Sequence, residues 1–289
     1  MAFVSALLNS LDVGLLLFLI ASGLTIVFGV LGLLNFAHGA LYMLGAYLAL
    51  SLARLDFGGF WLALLVVPVV VAAFATVLER AFLHRAYGRD PTYGLLLTFA
   101  LLLILDDSVR MIWGSGIHVL EPPPLLDGQA ALLGVVYPRY NLFVIAAAAA
   151  VGLGIWYLFA ATRVGRMVRA AAADREMAEA VGIDVRRLFS LVFAFGVWLA
   201  ALAGVLAAPM RAIGPAMGEA VIIEAFIVVV IGGFGSFPGA LLGGLILGAL
   251  HGFGARFVPE LDIVLPFLAM ATVLVLRPQG LLGRRGRGA

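Results

Sequence analysis

Long stretches without a charged residue dominate the chain, and their lengths predict transmembrane helices. A helix rises about 1.5 Å per residue, so roughly 20 consecutive apolar residues cross the hydrocarbon core of a membrane. The uncharged stretch 13–53 is long enough for two crossings, and the uncharged stretch 225–255 is too long for one helix. Single crossings are predicted at residues 57–78, 91–112, 140–162, 188–210 and 263–276.

Each long stretch is interrupted where glycine and polar residues replace the apolar pattern. The first break lies near residues 29–38, and the second is the glycine-rich sequence at 232–239. We therefore predict an all-α integral membrane protein, a polytopic bundle of eight or nine transmembrane helices with some helices broken or re-entrant. Both helix counts remain open, because each interrupted stretch could cross the membrane once or twice.

The whole chain, residues 1–289, is predicted to form a single transmembrane domain. Residues 1–10 are expected to be a short tail before the first span. They do not resemble a signal peptide, because the basic residues that such a peptide needs begin only at Arg54.

Composition excludes several classes of protein. Charged residues make up 12% of the chain and hydrophobic residues 64%, whereas a soluble domain is roughly 25% charged. Lysine and cysteine are both absent, which excludes P-loop nucleotide sites, Schiff-base chemistry and thiol-ligated metals. We predict no cofactor, no metal site, no catalytic site and no nucleic-acid partner.

Arginine placement predicts the orientation in the membrane, because basic residues concentrate in cytoplasmic loops. Arginines cluster at 80–89, at 163–187 and in the tail at 278–289, so these segments are predicted to be cytoplasmic. Residues 113–139 are predicted to face outward. Nine crossings would place the N-terminus outside, and eight would place it inside.

The cytoplasmic segment 163–187 is predicted to contain a short amphipathic helix over 166–180 that stops at Gly182. Its apolar stripe comprises Met167, Ala171, Ala178 and Val181. Two interpretations remain open: the helix rests on lipid headgroups, or its small side chains dock a partner. Four acidic residues among six arginines favour a partner over lipid alone.

Polar residues within the breaks make them candidates for a translocation path. Non-helical backbone in a bilayer is tolerated where protein or a water-filled cavity satisfies its polar groups. The candidate path residues are Gly32, Asn35, His38, Gly39, Gly232, Gly233, Gly235 and Ser236. The alternative is an ordinary turn between two spans, with His38 as a packing residue and Asn35 as a helix cap.

Other polar and glycine patterns predict structure rather than transport chemistry. Asp106 and Arg110 are expected to form an ion pair at the outer end of the fourth span, beside Asp107. Glu219 and Glu224 have three open roles: a structural role, attraction of a cationic ligand group, or contact with a partner. The glycines at 244, 248 and 252 predict close helix packing, within the subunit or against a second membrane subunit.

Three segments in a fixed order resemble the permease subunits of branched-chain-amino-acid-type ABC importers. They are GVLGLLNFAHG at 29–39 with MLGAY at 43–47, TRVGRMVRA at 162–170 continuing to Asp174 and GID at 182–184, and VVIGGFGSFPGAL at 229–241. The resemblance implies an inner-membrane importer with two permeases, two ATP-binding subunits and an extracytoplasmic substrate-binding protein.

The same resemblance implies that segment 163–187 is the coupling element that seats in the ATPase. The residues assigned to coupling are Arg163, Gly165, Arg166, Arg169, Ala171, Asp174, Ala178, Gly182 and Asp184. The implied substrate is a branched-chain amino acid or a related amide-like solute, and urea-like solutes remain open. Whether the second permease is an identical copy or a sibling also remains open.

The alternative function is a stand-alone ion-coupled secondary transporter or channel. It would use Asp106, Asp107 or His38 for ion coupling, and it would move solute without ATP. A membrane-embedded enzyme has little support, because the chain has neither an HExxH nor a GxSxG motif.

Overall fold

The computed structural model describes residues 2–54, 59–86, 90–132 and 134–283. The helices in these ranges are α1 (Ala2–Leu31), α2 (Ala37–Ala53), α3 (Gly59–Ala81), α4 (Pro91–Trp113), α5 (Arg139–Ala161), α6 (Arg163–Ala173), α7 (Arg175–Ala180), α8 (Val185–Ala207), α9 (Met217–Gly232), α10 (Phe237–Phe257) and α11 (Leu265–Leu276). The strands are β1 (Gln129–Leu132) and β2 (Val135–Pro138). Of the predicted basic tail 278–289, residues 284–289 lie outside the described ranges, as does Arg89.

Among the described residues, five helices are long and apolar enough to cross a membrane, judged by length and composition. Four of them are α1, α5, α8 and α10. The fifth consists of α3 and the turn that follows it. The helices α2 and α11 are apolar but shorter. An all-α polytopic membrane protein is therefore confirmed, while the count of eight or nine crossings stays a prediction.

Helix α1 forms the centre of the bundle, where it packs against α5, α8, α9 and α10. Residues 15–21 of α1 are all buried, as expected of a helix that is apolar on every side. The predicted tail at 1–10 is wrong, because α1 already begins at Ala2. The extra turns form because they pack on α10, with the Phe3 and Phe253 rings 5.4 Å apart.

Glycines allow α1 and α10 to approach each other closely. A Cβ added at Gly248 would lie 2.5 Å from the Cα of Gly14, and one added at Gly14 would lie 2.9 Å from the carbonyl oxygen of Gly244. The predicted glycine stripe on α10 therefore packs within this subunit, which resolves the choice that the sequence left open.

We expect Gly248→Leu to destabilise the protein by at least about 3 kcal/mol, because rigid backbone atoms would have to move to admit the side chain. Gly154→Leu is the matched control, since a Cβ at Gly154 meets no atom within 4 Å. Thermal unfolding of both variants in detergent, followed by size-exclusion chromatography, measures the difference. Equal stability would contradict the close α1–α10 contact.

Strands β1 and β2 form a small antiparallel hairpin. Its Tyr137 hydroxyl donates a hydrogen bond to Asn9 Oδ1 at 3.0 Å, which ties the hairpin to α1. Burial raises the pKa of Tyr137 to about 12, so the hydroxyl remains a donor at neutral pH. The segment 113–139 therefore lies at the same end of the bundle as the start of α1.

Candidate functional site

The two predicted breaks exist, and the structure brings them together. The first separates α1 from α2 at residues 32–36, and the second separates α9 from α10 at residues 233–236. The Phe28 and Phe234 ring centroids are 4.7 Å apart. A Cβ added at Gly29 would lie 3.1 Å from the Cα of Gly235, so the two chain segments touch where each helix is interrupted.

The first break holds buried polar groups with few partners. His38 Nε2 lies 3.2 Å from the carbonyl oxygen of Ile20; because a carbonyl only accepts, Nε2 carries the proton. Asn35 is fully buried, and its amide nitrogen and oxygen have no hydrogen-bond partner among the described residues. Thr98 donates to the carbonyl oxygen of Leu34 at 3.0 Å, which ties the break to α4.

The second break is stabilised by its own turn and by the C-terminal segment. Gly235 has a φ of 73°, which only glycine adopts without strain. Ser236 caps α10 by accepting the Gly239 amide hydrogen bond at 3.1 Å. The amides of Leu281 and Leu282 donate to the last carbonyls of α9 at 2.8 and 2.9 Å, so the tail covers the end of that helix.

A cavity of about 470 Å³ lies beside the meeting point of the breaks. We call it the junction cavity, and its walls come from the end of α1, Phe159 of α5, Val168, Arg169 and Ala172 of α6, and residues 234–238. Two of the predicted path residues, Gly235 and Ser236, line it. The other six, Gly32, Asn35, His38, Gly39, Gly232 and Gly233, are not in its walls.

The predicted single helix over 166–180 is wrong, because the structure divides it into α6 and α7 at Asp174. Asp174 has extended backbone with a φ of −156°. Its Oδ1 accepts the Met177 amide hydrogen bond at 2.9 Å and so caps α7. An aspartate competes with the helix for backbone donors and is favoured at such caps. Gly182, with a φ of 87°, follows the end of α7 as expected.

The apolar stripe predicted on this segment does not form one face. Ala171 and Ala178 are 4% and 2% exposed and pack with residues of α8 and α5, whereas Val181 is 70% exposed. The side chains that remain apolar and exposed are Val164, Met167, Met177 and Val181. We call these four residues the exposed apolar face.

Several residues assigned to coupling also fix the position of α6 and α8. Arg166 donates to the carbonyl oxygen of Ala161 at 3.4 Å, and Arg169 donates to that of Phe159. These carbonyls belong to the last turn of α5, which has no intrahelical donors. Gly165 packs against the backbone of the same turn, and Asp184 caps α8 by accepting from the Arg187 amide. Arg163 is exposed.

Sequence reasoning missed Glu79, which links α3 to α8 close to this segment. Glu79 is fully buried and accepts a hydrogen bond from the Ser190 hydroxyl at 2.8 Å. His84 Nδ1 lies 3.7 Å from the other carboxylate oxygen. The available signal was a carboxylate directly after a long apolar stretch, which is expensive to bury and so marks a specific contact.

We expect Glu79→Ala to destabilise the protein by about 1–3 kcal/mol, because the buried Ser190 hydroxyl loses its acceptor. Glu121→Ala, which removes an exposed glutamate, is the matched control and should change stability by less than about 0.5 kcal/mol. The thermal midpoint in detergent measures both. A Glu79 variant as stable as the control would show that the α3–α8 link contributes nothing.

The other carboxylates separate into paired and exposed groups. Asp106 and Arg110 form the predicted ion pair at 2.7 Å, while Asp107 is exposed. Glu219 is exposed on α9. Glu224 instead lies near charged groups of other segments, with its carboxylate 4.0 Å from Arg211.

Comparison with known proteins shows which family the sequence of this chain matches. The family model described as branched-chain amino acid transport system / permease component matches residues 6–274. The chain is 34% identical to the high-affinity branched-chain amino acid transport system permease protein BraD of Pseudomonas aeruginosa, over 98% of this chain and 96% of the relative. It is 31% identical to the corresponding protein LivH of Escherichia coli K12, over the same shares.

A solved structure, PsaBC from Streptococcus pneumoniae in complex with Fab, aligns over 93% of this chain and 89% of that chain, with 17% identity and a TM-score of 0.49. The full-length match to the family and to its relatives places the chain among them: it belongs to the family of permease components of branched-chain amino acid transport systems.

Proposed function

We propose that the chain is the membrane-spanning subunit of an inner-membrane ABC importer that moves branched-chain amino acids, with ATP hydrolysed by separate subunits. The observation that carries the proposal is the junction cavity, where the end of α1 and the second break meet α6. A chain without lysine cannot form the P-loop that holds nucleotide phosphates. The substrate class follows from the names of the relatives.

The segment 162–187 couples the ATPases to the membrane helices in this proposal. Its exposed apolar face seats in a groove of an ATP-binding subunit, and α6 touches the junction cavity through Val168, Arg169 and Ala172. The caps at Asp174 and Asp184 keep the segment rigid, so a displacement of α7 reaches α8. Movement of α6 then changes the contact between the breaks and opens the path on alternating sides.

The complete importer contains two copies of the ATP-binding subunit or two related ones, and an extracytoplasmic substrate-binding protein that selects the solute. A second permease completes the path, either as a sibling or as an identical copy. Membrane lipid surrounds the exposed apolar side chains of α3, α4 and α5, such as Leu65, Ile104 and Leu153.

The proposal is tested by purifying the chain from its native membrane in mild detergent and identifying the co-purifying proteins by mass spectrometry. We expect ATP-binding subunits with Walker motifs, together with a longer second permease for a heteromeric importer or no other permease for a homodimer. Purification of the chain alone, with solute movement in liposomes driven by an ion gradient, would overturn the proposal in favour of a secondary transporter.

A further inference from the structure

A second cavity lies near the beginning of α1, and its walls carry charges of both signs. It measures about 280 Å³ and is lined by Asp12, Arg211, Glu224, His251 and Asp262. We call it the charged cavity. Asp12 and Gly29 lie on the same helix, so a rise of 1.5 Å per residue separates the charged cavity from the junction cavity by roughly 26 Å.

Asp12 presents an unused acceptor to this cavity. The residue is only 3% exposed. Its Oδ2 accepts a hydrogen bond from the side-chain amide of Asn141 at 2.6 Å, but its Oδ1 has no hydrogen-bond partner among the described residues. A buried carboxylate oxygen without a donor costs free energy. A ligand that brings a donor into the cavity would therefore be stabilised by Asp12.

The other charged groups lie close to one another without forming hydrogen bonds. Arg211 is 4.0 Å from Glu224, and His251 is 3.9 Å from Glu224 and 3.4 Å from Asp262. All three separations exceed the N–H···O range of 2.7–3.2 Å. Their side chains are 21–39% exposed, whereas Asp12 is buried.

We propose that the charged cavity binds the head group of a zwitterionic α-amino acid. The ammonium group supplies donors to Asp12 Oδ1 and Glu224, and the planar guanidinium of Arg211 matches the carboxylate. Val13 and Ala255 give the cavity an apolar wall beside these charges. The inference rests on the proposed function, which supplies an amino acid as the substrate class.

The composition and position of the cavity favour an amino acid over a bare cation. Arg211 would repel a cation, and within the described ranges no group of three or more His, Asp or Glu residues is arranged to hold a metal ion. The cavity also lies at the end of the bundle that carries the hairpin, because Tyr137 bonds to Asn9 and Asn9 is in the cavity wall. That end is predicted to be the extracytoplasmic one, where substrate arrives.

The test uses the natural absence of cysteine to place a single reporter in the cavity wall. The complete importer carrying Ala255→Cys is reconstituted in liposomes, and its own ATP-dependent leucine uptake is the reference. The rate at which a membrane-impermeant maleimide modifies the reporter is then measured with increasing L-leucine. We expect leucine to slow the modification, whereas 4-methylpentanoate, without the ammonium group, and 3-methylbutylamine, without the carboxylate, should not.

Two variants in the reporter chain then assign the contacts. Asp12→Asn and Arg211→Gln are each expected to weaken protection by leucine at least about tenfold, the effect of losing a charge-assisted hydrogen bond. Glu219→Gln, on the exposed face of α9, is the matched control and should leave protection unchanged. Co-purification with the ATP-binding subunits excludes misfolding of either variant.

The outcomes separate this inference from the proposed function. Two results would overturn the charged-cavity site while uptake still depends on ATP, and both would leave the proposed importer intact. In the first, leucine does not slow modification of the reporter. In the second, 4-methylpentanoate and 3-methylbutylamine both slow it as much as leucine does. Unchanged protection in both variants would overturn it as well. Absence of ATP-dependent uptake of any branched-chain amino acid would overturn the proposed function, and the inference with it.

Discussion

Replacing Met177 and Val181 together by glutamate is expected to lower ATP-dependent uptake at least about 100-fold, which corresponds to roughly 2.7 kcal/mol of lost docking free energy. These side chains are 61% and 70% exposed, so the chain itself loses no internal packing. In an interface, however, each glutamate would bury an unpaired charge against apolar partner atoms. The measurement is uptake by the reconstituted importer, with the amount of co-purified ATPase determined in parallel.

A control pair separates loss of docking from a general effect of added charge. Ile117 and Val136 are 75% and 62% exposed at the other end of the bundle, in the segment predicted to face outward. Ile117→Glu with Val136→Glu should leave the ATPases bound. If the Met177 and Val181 double variant kept both its ATPase subunits and its uptake, the exposed apolar face would have no part in coupling.

A reversible covalent link between the two breaks is expected to reduce uptake to the background level. Phe28→Cys with Phe234→Cys replaces two side chains whose rings are 4.7 Å apart, in a chain that has no other cysteine, and a bismethanethiosulfonate reagent bridges the two thiols through reducible disulfides. Alternating access requires the contact between the breaks to change, so a bond across it should hold the path in one state. Uptake is measured before cross-linking, after cross-linking, and after reduction, which should restore it.

The control for this experiment joins α1 to α10 at the opposite end. The Phe3 and Phe253 rings are 5.4 Å apart, beside the tightly packed glycine contact at Gly248. A link formed by Phe3→Cys with Phe253→Cys should leave uptake intact, because this end of the α1–α10 contact lies far from the two breaks. Full uptake with the Phe28–Phe234 positions cross-linked would show that the breaks do not separate during transport.

The hydrophobic pattern predicted the membrane architecture well, because transmembrane length and glycine interruptions are local properties of the sequence. The breaks at 32–36 and 233–236 fall inside the predicted intervals. The ion pair between Asp106 and Arg110 follows from i, i+4 spacing on one helix. The close packing of Gly248 also follows from spacing, although its partner on α1 does not.

The prediction was less accurate wherever a contact between distant segments decided the outcome. A periodic stripe predicts that Ala171 and Ala178 share a face, but it cannot indicate whether that face meets a partner or the subunit's own core. Asp174 divides the predicted helix because its side chain caps α7, a local competition that helix propensity alone underestimates. The extension of α1 back to Ala2 likewise depends on packing against α10.

For the charged groups as well, the sequence gives the position of each residue, but only the fold gives its contacts. Asp12 stands one residue before the longest uncharged stretch and Glu224 one residue before another, and these positions do not indicate which residues either carboxylate meets. The structure brings Glu224 together with Arg211 and His251, which are distant in sequence. Only the packing of α1, α9 and α10 places these charges around one cavity.

We expect this permease component to transport only when separate subunits hydrolyse ATP. The most direct test reconstitutes the chain with its co-purifying subunits in liposomes and measures uptake of labelled leucine delivered by the binding protein. The expected uptake requires both ATP and the ATP-binding subunits, and it is indifferent to a proton or sodium gradient. Leucine uptake by the chain alone, driven by an ion gradient and unchanged by ATP, would contradict it.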